Sequence, residues 1–400
     1  MYKEKSLLVV LALALLSAIG CGSVSGNGSS PTPTPTPVAG NPTPTPGNPT
    51  PTPTPTAGST LVFVGSGITS GISEFKLNAD GSLTQIPTTA GIPSSDFTAL
   101  AQSGTSLLGA QIDSAGSVQV TLYSVNGQTG ALTVKSNISF LAPTPTSPTG
   151  TLTATMNDSF AYIGTANGIY AFSLAGGNLA AVPGSPFQTG SPADEFQLAN
   201  FTFLKTNGSF LMAAHGSNTL ITALQIAADG SLTVRNDSKN AASFSGMALS
   251  PSGTQVYGSS FGHLTTFPFN PGNATFGALV DTTTGNNAQG AFDGRIALSP
   301  SGKFLYQNFK EQGDINVYSV NQQTGTTTFV SQARGEDFGT GVAVDPSGKF
   351  LVGTFGDDTG EHLLVFSLNA TTGAATVLAN NTRRDVGSTT APTDIIIADF

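Results

Sequence analysis

After residue 59, apolar and polar residues alternate with a period of two in short runs, and each run ends in a cluster of turn formers. Alternation of this kind puts apolar side chains on one face of an extended strand, and no stretch keeps the 3.6-residue period of a helix. The runs fall into two recurring phrases. The first reads ALSPSGTQVYG (248–258), ALSPSGKFLYQ (297–307) and AVDPSGKFLVG (343–353), with worn copies ALAQSGTSLLG (99–109), ATMNDSFAYIG (154–164) and FLKTNGSFLMA (203–213). Glycines 208, 253, 302 and 348 are 45, 49 and 46 residues apart, the spacing of a repeat architecture. The second phrase alternates with the first, as in YSVNGQTGALTV, YSVNQQTGTTTFV and FSLNATTGAATV, and has a degenerate form, FPFNPGNATFGAL, in the fifth unit. Both phrases predict hairpins, because proline presets the first turn position and glycine accepts the positive φ at its end. Each unit therefore predicts strand a, a Pro-Ser-Gly turn, strand b, a variable loop, strand c, a Thr-Gly turn and strand d.

Four-stranded antiparallel units of this length are propeller blades, and seven second phrases predict an all-β, seven-bladed β-propeller. The first unit starts at strand b, STLVFVGSG, and the chain ends in a lone strand, PTDIIIADF. Residues 393–399 are thus predicted to pair with residues 61–65, complete the first blade and leave no free sheet edge at the closure. In such a meander the two conserved turns form the bottom, and the b–c loops and d–a connections form the top.

Through S-P-S-G-K-F-L-Y and V-Y-S-V-N-Q-Q-T-G, residues 59–400 resemble the lactonase-type seven-bladed propellers, which include 6-phosphogluconolactonase, carboxymuconate cyclase and YVTN-repeat proteins. The resemblance implies this fold and, as one activity, lactone hydrolysis or cycloisomerisation. It also implies a His-Pro-His kind of signature before an S-P-D-G turn, with arginine and glutamate nearby. The corresponding stretches here, FSGMALSPSG, FDGRIALSPSG and GTGVAVDPSG, contain no histidine. The sequence has no Gly-rich phosphate loop, nucleophile elbow or His-Glu-x-x-His zinc spacing. Blades serve many functions, so a ligand- or protein-binding module stands beside the enzyme as an expectation, with a purely structural surface protein as a third.

The segment before the repeats changes the picture of where the propeller works. Lys3 and Lys5 precede an apolar run from Leu7 to Ile19, the pattern of a signal peptide over 1–20. Cys21, the one cysteine, follows Ala18-Ile19-Gly20, which resembles a bacterial lipobox and marks Cys21 as a lipidation site. Ser29–Thr56 is mostly Thr-Pro, a composition that extends as polyproline II at ~3.1 Å per residue and so reaches on the order of 80 Å. The domain plan is a signal peptide (1–20), a lipidated cysteine with a Thr/Pro-rich stalk (21–58), and the propeller (59–400). The expected place is the cell envelope, lipid-anchored to a membrane, with Gly22 in place of aspartate favouring the outer membrane or cell surface. A net charge of −9 argues against a nucleic-acid partner, and nothing in the pattern asks for more than a monomer.

Candidate chemistry collects at the top. His215, His263 and His362 fall in or beside b–c loops, and most of the acids lie in the same region, among them Glu195, Glu336, Asp357, Asp358 and Glu361. Asp96, Asp194, Asp293, Asp337 and Asp394 recur near the start of strand a, which lines the channel of a propeller. Such carboxylates either form a ring that binds a hard cation such as calcium or keep exposed loops soluble. Arg295 stands where other blades have Gly246 and Gly341 and, on a strand, shares a face with Asp293. The pair either receives an anionic substrate group or forms a salt bridge. Arg295, His215 and Asp293 are the candidate catalytic residues. A protein, glycan or small molecule is the ligand expected on this face.

Overall fold

The computed structural model describes residues 58–65, 72–87, 98–112, 116–142, 152–165, 167–189, 201–215, 220–239, 244–260, 263–283, 294–309, 313–357, 360–378, 384–386 and 394–400. The signal segment, Cys21, the stalk and Asp96, Asp194 and Asp293 lie outside the described residues.

Seven antiparallel sheets are arranged around a ring. Their innermost strands, called strand a, are Asp394–Asp399 in blade 1, Thr98–Ser103 in blade 2 and Thr153–Met156 in blade 3. They continue as Phe201–Thr206 in blade 4, Gly246–Leu249 in blade 5, Ile296–Leu298 in blade 6 and Phe338–Val344 in blade 7. Each contacts the next, and the last contacts the first. The closure predicted from the orphan strand is present: Thr60–Gly65 pairs antiparallel with Asp399–Asp394, in register from Thr60↔Asp399 to Gly65↔Asp394.

The repeated turns are explained by their side chains. In the c–d turn Asn126, Asn321 and Asn369 each accept two backbone N–H bonds through Oδ1, at 2.9–3.1 Å, from the residues two and three positions on. Gly130, Gly325 and Gly373 then donate to the same asparagines' carbonyls at 2.7 Å with φ of 73–78°, a conformation that costs glycine no steric clash. In the a–b turn Ser299 Oγ accepts from Phe304 N–H at 3.1 Å, and in blade 7 Asp345 Oδ1 takes the same role for Phe350 at 2.6 Å. The Pro-Ser-Gly phrase is hairpin chemistry, repeated because every blade needs the hairpin.

The core is divided in the same way. Each of seven apolar clusters sits between two neighbouring blades, and the alternation of a strand decides which neighbour a side chain meets. Leu61 and Phe63 pack toward blade 2, while Val62 and Val64 pack toward blade 7. The outer strands depart from the regular pattern in three blades; in blade 3 strand d is reduced to Ala180–Ala181 and an isolated bridge from Phe187 to Ile169. Strand d is split into Thr275–Phe276 and Val280–Thr283 in blade 5, and into Ala375–Val377 and Arg384–Asp385 in blade 7. The degenerate fifth phrase coincides with one of these splits, where Phe210, Phe267, Phe269 and Phe276 form a chain of ring contacts.

Candidate functional site

The inner strands bring three charged side chains to one cavity. Arg295 immediately precedes strand a of blade 6, Asp394 opens strand a of blade 1, and Lys205 lies within strand a of blade 4. All three line a cavity of about 240 Å³ together with Leu100, Thr153 and Ile396. Arg295 Nη1 is 3.6 Å from Asp394 Oδ1, with side chains 27% and 22% exposed. Asp394 Oδ2 accepts the Leu100 N–H at 3.1 Å, so the carboxylate is fixed by blade 2 and faces blade 6.

Burial lowers the guanidinium pKa of Arg295, and Asp394 opposes the effect; an arginine still carries its charge at any ordinary pH. Lys205 is open to solvent along the channel yet surrounded by protein. That desolvation lowers its ammonium pKa, Asp394 counteracts it, and the charge of Arg295 lowers it further. Two cations and one carboxylate in a cavity of this size can receive an anionic group, polarise a carbonyl and hold a water molecule.

Lys205 was not legible as a site residue in the sequence. By strand register it takes the place of Ala248, Ala297 and Ala343, since it pairs with Met212 as they pair with Tyr257, Tyr306 and Val352. Counted back from the turn glycines it stands instead where those phrases have Ser250, Ser299 and Asp345, so only the strand register sets it among the alanines. The companion proposed for Arg295, Asp293, lies outside the described residues, and the acid found against Arg295 comes from the closing strand.

The other candidates are spread out. Asp337 is exposed and pairs with Arg334, Nη2 to Oδ1, at 3.6 Å; it precedes a strand a that starts further out, because Phe338 pairs with Gly356 and the register shifts between Gly339 and Gly341. His215 ends strand b of blade 4, and nothing further is described for its side chain. His263 and Asp281 pair at 3.1 Å on the exposed outer part of blade 5.

A second group of side chains meets at the top of blade 7. His362 is 2% exposed, its Nε2 is 3.3 Å from Asp357 Oδ1, and one donor atom each of Glu336, Asp357 and His362 lies within 4.8 Å of the others. Burial pushes the neighbouring Glu361 carboxyl up to about 7; His362 opposes the shift, and the negative charges of Asp357 and Glu336 add to it. The folded chain therefore holds a proton that the unfolded chain releases near 4.5, so this contribution is complete below about pH 4.5 and is lost as pH rises through 7. Glu361→Gln is expected to remove that slope and to stabilise the fold near pH 8 by on the order of 1–3 kcal/mol. Thermal melts across this range in chelating buffer check it; parallel pH profiles for the two proteins would contradict it.

The bottom face has a groove of about 490 Å³, but its lining, which includes Asn207, Ser250, Pro251 and Pro271, has no charged side chain. The charged channel is the better candidate for chemistry.

Fold and site together define a seven-bladed propeller with a charged cavity at its axis. A family model described as "Lactonase, 7-bladed beta-propeller" matches residues 61–391, and the chain belongs to this family. Among solved structures it is similar to the periplasmic gluconolactonase PpgL of Pseudomonas aeruginosa, at 18% identity and a TM-score of 0.67, covering 85% of this chain and 99% of that one. A Bacteroides fragilis protein provisionally named a 6-phosphogluconolactonase has 20% identity and a TM-score of 0.65, over 87% of this chain and 100% of that one. A Lactobacillus plantarum protein has 15% identity and a TM-score of 0.68, over 85% and 99%. A search of curated proteins gave no match. At these identities the solved structures show the shared fold.

Proposed function

We propose that the propeller hydrolyses a small lactone bearing an anionic group, bound in the axial cavity. The observation that carries this reading is the convergence of Arg295, Lys205 and Asp394 on that cavity, in a chain of the lactonase family. Arg295 and Lys205 hold the anionic substituent and stabilise the oxyanion that forms when water attacks the ring carbonyl. Asp394 takes the proton of that water, the ring C–O bond breaks, and the proton passes to the leaving ring oxygen, giving a hydroxy acid. A panel of aldonolactones with and without a carboxylate or phosphate, followed by proton release, tests the proposal. Turnover restricted to the anionic members is expected; no turnover of any member overturns it.

A specific observation favours a second reading, a binding module without turnover. No histidine precedes the Pro-Ser-Gly turn in blades 5, 6 or 7, where the family resemblance implies one. Retention of an anionic sugar acid in native mass spectrometry, without hydrolysis of its lactone, supports this alternative.

In the same proposal the propeller is held at the cell envelope through a lipid on Cys21, with the Thr-Pro stretch as spacer. The support is the lipobox-like Ala-Ile-Gly-Cys; each buried lipid methylene contributes about 0.8 kcal/mol, so several acyl chains anchor firmly. Cys21→Ser is expected to move the protein from the membrane fraction to the soluble one with an unchanged melting temperature. A variant that stays in the pellet after a high-salt wash contradicts lipid anchoring.

A further inference from the structure

The group at the top of blade 7 is distinct in chemistry from the axial cavity, because it unites an imidazole with carboxylates and is built on other elements. Asp357 is the last residue of strand b (Phe350–Asp357), and Glu361 and His362 follow at the start of strand c (Gly360–Leu368). Cross-strand pairing sets Phe355 opposite His362, Gly356 opposite Glu361 and Asp357 opposite Gly360, so Asp357 and His362 share one face of the hairpin and Glu361 projects from the other. Glu336 comes from the connection between blades 6 and 7 and adds a donor from outside the hairpin.

We propose that Glu336, Asp357 and His362 form a divalent-cation site, which takes a zinc- or manganese-type ion in preference to calcium. The 3.3 Å between His362 Nε2 and Asp357 Oδ1 equals the ~3.3 Å edge of a tetrahedron whose ligands lie about 2.0–2.1 Å from the metal. The three donor atoms already lie within 4.8 Å of one another, so side-chain adjustments alone close the set. An imidazole nitrogen among carboxylate oxygens suits transition ions, whereas calcium takes six to eight oxygens.

The neighbouring cation, Arg334, contacts Asp314 at 3.4 Å and Asp337 at 3.6 Å. Three protein ligands leave a further coordination position for water. The ion ties the connection between blades 6 and 7 to the top of blade 7.

The test uses the tag-free full-length chain, stripped with chelator and titrated with zinc, manganese or calcium chloride by calorimetry and thermal melting. One equivalent of zinc or manganese is expected to bind and to raise the melting temperature in a concentration-dependent way, with calcium far weaker. Glu336→Gln and Asp357→Asn should each weaken binding about tenfold or more. His362 is buried in the fold, so Glu336→Gln, placed in a connection, is the variant that keeps the test independent of folding. The exposed pair His263 and Asp281 supplies the control, and His263→Ala should leave affinity unchanged. Absence of binding by the parent overturns the proposal, as does binding that survives both carboxylate variants or is lost in His263→Ala.

Discussion

Deleting residues 394–400 is expected to leave the propeller largely unfolded at physiological temperature. The closing strand makes the complete antiparallel ladder with Thr60–Gly65, and its loss exposes that strand as an unpaired edge. It also uncovers apolar surface in two cores at once. Ile395 and Ile397 pack into the cluster between blades 7 and 1, and Ile396 and Phe400 into the cluster between blades 1 and 2. Phe400 meets Phe63 edge-on with ring centroids 5.8 Å apart. At ~1.5–3 kcal/mol for a fully buried side chain, and less for these partly exposed isoleucines, the four side chains together contribute about 4–8 kcal/mol. A whole domain is stable by roughly 5–15 kcal/mol, so the truncated chain should sit at or below its threshold. Circular dichroism melts check this, and a truncated protein with the parent's melting temperature would show that the ring does not depend on its closure. Removing Phe400 alone should cost far less, because the ladder remains.

Asp394→Asn is expected to lower the kcat of lactone hydrolysis by about a hundredfold, within the range of a lost general base, with a smaller change in KM. The amide oxygen can still accept the Leu100 N–H, so the fold should persist. Arg295→Ala should act the other way round, raising KM for anionic lactones most, because it removes the charge that holds their substituent. Lys205 adds a pH signature. Its ammonium pKa is lowered, so its charge is lost earlier as pH rises than that of an ordinary lysine, and KM for an anionic substrate should rise with it. Lys205→Arg should flatten that dependence, since guanidinium stays charged. Steady-state kinetics over the alkaline range separate these effects. If all three variants keep parental kinetics on an active substrate, the axial cavity is not where hydrolysis occurs.

Several of the site's parts could be read from the chain and several could not, and the difference follows the range of the interactions. Arg295 stood out because its position in the repeat is glycine elsewhere, and Asp394 because acids recur before strand a. Their partnership did not stand out, since the nearest acid in sequence to Arg295 is Asp293, while the acid at 3.6 Å comes from the closing strand. Lys205 stands in the repeat alignment where other copies have Ser250, Ser299 and Asp345, and nothing local says that a lysine in blade 4 shares a cavity with blades 1 and 6. Glu336, Asp357, Glu361 and His362 were all noted as top-face residues. The convergence of Glu336, Asp357 and His362 depends on the register of one hairpin and on the path of the connection into blade 7.

By itself the sequence determined the hairpins, their number and the strand that closes the ring. Those features depend on turn residues, on alternation with a period of two and on counting, all of which act within a few residues or repeat at fixed spacing. Only the tertiary structure decided which charges meet. A circular fold brings together residues from blades that are distant along the chain, and the side a side chain faces depends on register shifts such as that between Gly339 and Gly341, which move Asp337 outward while Asp394 stays at the cavity.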